Sequence, residues 1–286
     1  MFTKSPHRDP VSDTARAFSA GSRITAVGTF ISAAEEFSRS REMSDTGLFS
    51  WPIRRTAFRT LSHPKLEKPL RTLGHPRYRW LVGARALASL GVIVAPRRSK
   101  SRLVSLFALS GLLLVKSYRS SYGSDGSDQM SFISAASTAI AETPRLTPQQ
   151  QDVMSGFVAF QSVLSYFSAG VAKLRSPVWR DGSAIEGIFR TKTYGDEWLY
   201  QFVHRHRWAR LTLAWSVIVA ETIFPIILAL PPVARRAQFL VAAGFHVGNA
   251  RFMGLNRFFW AFLGTYPHVE HNAAFLRQAW QEQSRK

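Results

Sequence analysis

The 286-residue chain contains no cysteine. Disulfides, thiolate metal sites, CxxC redox chemistry and a cysteine nucleophile are therefore excluded. Acidic residues are scarce as well: 18 Asp and Glu stand against 37 Lys and Arg, for a formal charge of +19. An excess of that size asks for a polyanionic partner, either nucleic acid or an anionic membrane surface. The phosphate-cradling GxGxxG and Walker loops, the GxSxG elbow and the kinase motif set are all missing. So is the apolar core of about 7–15 residues that marks a cleavable signal peptide. No solenoid-type repeat is present.

What is present is segregated. The apolar fraction is 46% and the mean hydropathy only −0.06, yet the charges are bunched. Residues 153–172 carry none, and within 211–234 the sole charge is Glu221. Shorter uncharged runs cover 86–96, 103–115, 237–250 and 258–267. A bilayer core of ~30 Å takes about 20 mostly apolar residues as helix, because lipid offers a free backbone no hydrogen bond. The long runs meet that length, and the shorter ones reach it with snorkelling flanks such as Arg85, Lys116 and Arg251. Buried helices of a soluble all-α globule also read as apolar, but several such helices with basic ends fit a membrane bundle better. Nucleic-acid binding falls away, since the basic residues flank apolar spans and form no recognition motif.

The expected fold is an all-α, polytopic transmembrane bundle of about 6–8 spans in the cell membrane. Residues 1–14 read as a loose segment, 15–270 as the membrane domain and 271–286 as a polar tail. Residues 15–37 form a weak first span or an amphipathic surface helix. Further spans are placed at 80–95, 103–117, 130–141, 151–174, 208–230, 237–252 and 255–266, with Pro231–Pro232 stopping the fifth of these seven at its end. Two polar regions, 38–78 and 174–207, read as extramembrane loops with short helices. The basic connectors RRSKSR (97–102), PRL (144–146) and VARR (233–236) point to the cytoplasm, opposite the acidic GSDGSD (123–128). Met43 is an alternative start to Met1.

Polar residues inside spans carry the functional argument, since a charge in lipid costs at least ~2.5–3.5 kcal/mol on insertion scales. Glu221 must face the bundle, be protonated or pair; Arg251 and His246 are its expected partners. His246 and Asn249 share a helical face, and an interhelical hydrogen bond is the structural alternative for His246. Lys173 ends the longest helix in YFSAGVAKL, where Ala169 and Gly170 permit close helix contact. It is either a snorkelling anchor or a buried base. HRH (204–206) and HVEH (268–271) lack the spacing of a helical metal site, so no metal is expected. Trp179, Trp198, Trp208 and Trp260 sit where an aromatic belt would place them.

The stretch YFSAGVAKLRSPVWRDGSAI (166–185) resembles the helix-end motif of the HTTM family, the membrane domain shared with vitamin K-dependent γ-glutamyl carboxylase. ETIFPIIL (221–228), FHVGNARFMGLNRFFWAFLGTYP (245–267) and SDTGLFSWPI (44–53) are similar to other parts of that domain, in the same order over roughly residues 15–270. The resemblance implies that Lys173 matches the base that deprotonates reduced vitamin K in the carboxylase. There, oxygen turns the quinol into a strong base that takes the γ-proton of a peptide glutamate, so that CO₂ adds. It also implies that His246 and Asn249 match the polar pair of the FHxxN segment, with Asn249 toward the cofactor, a reduced vitamin K-type quinol. The family histidine expected in SDQMSF (127–132) is missing, and no peptide-holding lumenal region follows. Bacterial relatives of this size resemble maturation factors for secreted toxin peptides. Three functions therefore stay open: an enzyme acting on a quinol or other lipid-soluble substrate with Lys173, Glu221 and His246 as catalytic groups; a membrane partner for maturing or exporting a secreted peptide; and a lipid-binding or assembly protein.

Overall fold

The structure is a computed structural model that describes residues 10–57, 63–120 and 126–284. Most of the loose segment read at 1–14, part of the 38–78 loop, half of the GSDGSD connector and the chain end lie outside them. Among the described residues everything regular is helical and no strand occurs. The chain forms two units, residues 1–154 and 155–286.

The first unit begins with α1 (Pro10–Ser38). Short helices follow: a 3₁₀ turn at Ser40–Met43, α2 (Trp51–Arg54), a second 3₁₀ turn at Arg55–Ala57, and α3 (Pro64–Thr72). These match the expected loop with helical turns. The long helices α4 (Tyr78–Val94), α5 (Lys100–Arg119) and α6 (Gly126–Ala141) then pack so that α1, α4, α5 and α6 close a ring. Its apolar core joins Ala26, Ala88, Val92, Leu106, Leu109, Leu113, Ala135 and Ala139. So many alanines let the helix axes approach closely.

The weakly apolar α1 packs into this ring. Ser22, Thr25, Thr29, Ser32 and Glu36 recur at alternating steps of three and four residues and are all buried. Its polar stripe points inward. Thr29 meets Ser89 of α4 at 2.9 Å, Thr25 meets Ser134 of α6 at 3.2 Å, and Ser22 accepts from the Arg102 guanidinium at 2.7 Å. Arg102, from the basic connector, also donates to Glu142 at 2.9 Å.

Arg85 and Lys116 do not snorkel. Both are buried with Glu36, whose carboxylate lies 3.1 Å from the Arg85 guanidinium and 3.3 Å from the Lys116 ammonium. Tyr78 donates to the same carboxylate at 2.9 Å, and Lys116 reaches Asp128 at 2.5 Å. The reason is the inward stripe of α1, which offers a counter-ion that a lipid-facing lysine stem would not find. Arg251 does extend outward, 3.8 Å from Asp196.

The division falls within α7 (Pro148–Arg175), whose later part belongs to the second unit. The polar stretch after it folds into α8 (Pro177–Arg180), α9 (Ser183–Phe189) and α10 (Glu197–Arg205) around Ile185, Leu199, Val203 and Ala214. Here Glu186 accepts from His204 at 2.8 Å and from Arg210 at 3.0 Å. The His204 hydrogen bond, aided by the basic neighbours, holds its carboxyl below the usual range. α11 (Arg207–Thr222) ends early. The single span expected at 208–230 is broken there and continues as a 3₁₀ turn, Phe224–Leu228. Pro225 has no N–H for the Glu221 carbonyl and its ring would strike it.

α12 (Pro232–Met253), α13 (Asn256–Leu263) and α14 (Tyr266–Gln283) complete the unit. The span expected at 255–266 is corrected to α13, about 12 Å long and too short to cross a bilayer. The segment read as a polar tail lies on α14. Two helices, Lys100–Arg119 and Pro148–Arg175, are long and apolar enough to cross a membrane. Only 33% of the apolar window is buried in each, unlike the core helix of a soluble protein.

Candidate functional site

The site belongs to the second unit and is built on α7. Tyr166 and Lys173 are seven residues apart, two turns on one helix face, with Gly170 between them. A Cβ on Gly170 would stand 2.5 Å from the Thr222 nitrogen and 2.8 Å from the Glu221 carbonyl carbon. Only glycine lets the last turn of α11 press against α7 there. That approach brings the Glu221 carboxylate to the Lys173 ammonium, Nζ to Oε2 at 2.7 Å. Glu221 is buried and Lys173 retains 20% side-chain exposure. The ammonium also lies 5.2 Å from the centre of the Trp179 ring.

Two turns back, the Tyr166 hydroxyl lies 2.6 Å from His246 Nε2 and 3.0 Å from the Tyr266 hydroxyl. A consistent assignment has Tyr266 donating to Tyr166 and Tyr166 donating to Nε2 of a neutral imidazole, with the ring proton on Nδ1. Tyr166 stacks on Phe224 at 3.9 Å and meets the Phe262 edge at 5.0 Å, while His246 stacks on Phe262. Polar contacts continue along α7. Thr265 donates to Ser162 at 2.8 Å, and Ser155 lies 3.1 Å from His268 Nδ1.

The expected partners of Glu221 are therefore corrected. Arg251 faces Asp196 and His246 faces Tyr166, because the close approach at Gly170 turns Glu221 toward α7 instead. His246 makes the interhelical hydrogen bond foreseen as its structural alternative. Asn249 is half-buried one turn beyond, and its carbonyl accepts from the N–H groups of Gly254 and Leu255. Gly254, at φ 69°, closes α12 in the left-handed conformation that favours glycine. The structure thus joins Lys173 to Glu221 and His246 to Tyr166, and the contacts at Asn249 run through its backbone carbonyl. Among the described residues, HRH, HVEH and the remaining His, Asp and Glu form no cluster able to hold a metal ion.

Sequence reasoning passed over Tyr166, Tyr266 and Thr222. The readable signal was Tyr166 itself: a buried phenol needs a partner, and it shares the Lys173 face at i, i+7. Two buried polar atoms here lack partners, His246 Nδ1 and Thr222 Oγ1.

Replacing Gly170 by alanine tests the close approach. The added methyl meets backbone, so the unit should lose about 1–3 kcal/mol, read as a lower midpoint in thermal unfolding of the detergent-purified protein. Gly248 has open space around its Cβ direction, so Gly248→Ala should be neutral or slightly stabilising. Equal behaviour of the two variants would contradict the packing described.

Compared with protein-family profiles, with curated proteins and with solved structures, the chain matches none.

Proposed function

We propose that this chain is a multi-pass membrane protein of the HTTM type, in which Lys173 and Glu221 form a proton-transfer pair acting on a lipid-soluble quinol. The membrane part rests on polarity that runs inside out. Charges and hydroxyls occupy the interior of the first unit, while Trp80, Leu87 and Val94 of α4 point outward at heptad spacing. On α7, Val153, Phe157, Phe160, Leu164, Phe167 and Leu174 form an outward apolar stripe. Water makes such a surface costly, whereas lipid does not. Cell-membrane residence and several spans follow from this reading.

The single observation that carries the chemical part is the 2.7 Å contact of Lys173 with Glu221 beside the partnerless Thr222 Oγ1. The residues fit a quinol by type. Thr222 Oγ1 and His246 Nδ1 can take its oxygens, and Tyr166, Phe224 and Phe262 offer flat apolar faces. When bound, the quinol supplies an acidic hydroxyl and, with oxygen, a strong base. Lys173 Nζ receives or returns a proton, and Glu221 Oε2 steadies the ammonium and fixes its direction. Phe224 and Phe262 keep water from Tyr166 and His246.

A second reading has its own support. Lys173 is partly exposed, paired and set over Trp179, as a latch between α7 and α11 would be. In that case the protein is a non-catalytic partner for maturing or exporting a secreted peptide.

Alkaline carbonate extraction tests the membrane part: the protein should remain in the pellet and require detergent for release. Release without detergent would refute it. For the chemical part, the purified protein in lipid nanodiscs should consume a reduced naphthoquinone in an oxygen-dependent manner, and no turnover above the empty-disc rate would leave the latch reading standing.

A further inference from the structure

We propose that a cleft in the first unit, bordered by Asp45 and residues 71–77, binds a phosphate group, presented either by an anionic lipid headgroup or by a small phosphorylated solute. The cleft has a volume of about 590 Å³, and Arg71, Arg77 and His75 line it together with Gly74.

Arg119 is fully buried, and its Nη2 would lie 3.3 Å from a Cβ placed on Gly74. Glycine at this position leaves nothing but backbone between cleft and guanidinium. Arg119 donates to the carbonyls of Met43 at 2.8 Å and Phe49 at 3.3 Å, while its Nε has no hydrogen-bond partner. His75 Nδ1 is likewise buried and without a partner. Both side chains next to Gly74, Arg119 and His75, thus carry a buried nitrogen without a partner. Besides these carbonyls the Arg119 guanidinium has the Trp51 and Tyr78 rings at 5.7 and 6.0 Å, and a buried cation held this way is stabilised further by a nearby anion.

The neighbouring carboxylates are already engaged. Glu36 faces Arg85 and Lys116, and Asp128 faces Lys116. Three buried cations, Arg85, Lys116 and Arg119, are set against these two carboxylates. Asp45 is half-exposed and 3.9 Å from Arg71, a loose contact that an incoming anion can replace. Guanidinium groups of Arg71 and Arg77 at the rim can grip phosphate oxygens two at a time. The imidazole of His75 adds a third side.

The test uses the full chain in detergent and in nanodiscs. Inorganic phosphate, at constant ionic strength, should raise the unfolding midpoint in a saturable manner. The double variant Arg71→Gln/Arg77→Gln should weaken that binding about tenfold or more, the scale of a lost charge-assisted hydrogen bond. The charge-matched variant Arg190→Gln/Lys192→Gln, at exposed positions elsewhere, should leave it unchanged. Asp45→Asn should tighten binding, since it removes the competing carboxylate. If the headgroup is the source, phosphatidylglycerol nanodiscs should stabilise the protein over phosphatidylcholine ones with the same dependence on Arg71 and Arg77, whether or not free phosphate binds. A response to neither probe, an equal loss in the charge-matched control, or weaker binding in Asp45→Asn would overturn the site.

Discussion

Lys173→Arg is expected to accumulate normally in the membrane and to lose quinol turnover by about 10²–10⁴-fold, the usual contribution of a positioned general base. Arginine keeps the positive charge, the reach and the contact with Glu221, so whatever the residue does for folding survives. What it cannot do is give up its proton, since its pKa lies above ~12. An arginine–carboxylate pair therefore holds the site together without moving a proton. Glu221→Gln complements this result. It leaves Lys173 without a charge partner, and should lower both stability and turnover. Turnover of Lys173→Arg within about twofold of the parent, a change too small for a lost base, would remove the catalytic reading and leave the latch between α7 and α11. Comparing Lys173→Arg with Lys173→Gln separates the two, since a latch tolerates arginine and fails with glutamine.

Glu36→Gln carries the largest expected effect on stability. Glu36 is completely buried and serves Arg85, Lys116, Tyr78 and Ser32 at once. Removing its charge leaves the buried Arg85 without its carboxylate and Lys116 with Asp128 alone, and breaking a buried ion pair from one side typically costs about 3–5 kcal/mol. For a protein of this size that is a fall of roughly 6–20 °C in unfolding midpoint. Thermal unfolding in detergent provides the measurement. Adding Arg85→Met should recover part of the loss, because an apolar side chain of similar reach no longer needs the counter-ion. A shift below about 1 kcal/mol, the value of an exposed pair, would mean that the network is hydrated rather than buried.

Much of the helical layout was legible because lipid and protein cores make the same demand: a helix end-to-end free of charge. That rule located α4, α5, α6, α7 and α12 within a few residues. It failed at Pro225, where a continuous apolar run hid a missing N–H, and at 255–266, where apolar character outlasted the helix. It also undervalued α1, whose seam of serine and threonine lowers hydropathy while lining the interior. Of the site, Lys173, Glu221, His246 and the small residue Gly170 could be found one by one. Their pairing could not. Arg251 and His246 were the expected partners for Glu221, yet the observed partner lies 48 residues earlier on α7. Periodicity reports which face a residue occupies on its own helix, and carries no information on which helix comes to meet it.

The inward stripe of α1 has a consequence for biogenesis. A chain entering a bilayer element by element would present Ser22, Thr25, Thr29, Ser32 and Glu36 before α4 and α5 exist to cover them. The carboxylate alone costs about 2.5–3.5 kcal/mol on insertion scales, and its counter-ions, Arg85 and Lys116, emerge from the ribosome later. α1 is thus a poor candidate for independent partitioning into lipid. On the proposed membrane reading, it would be retained in the polar interior of the insertion machinery, or at the membrane surface, until Lys116 has been made, and then released together with its partners as one packet.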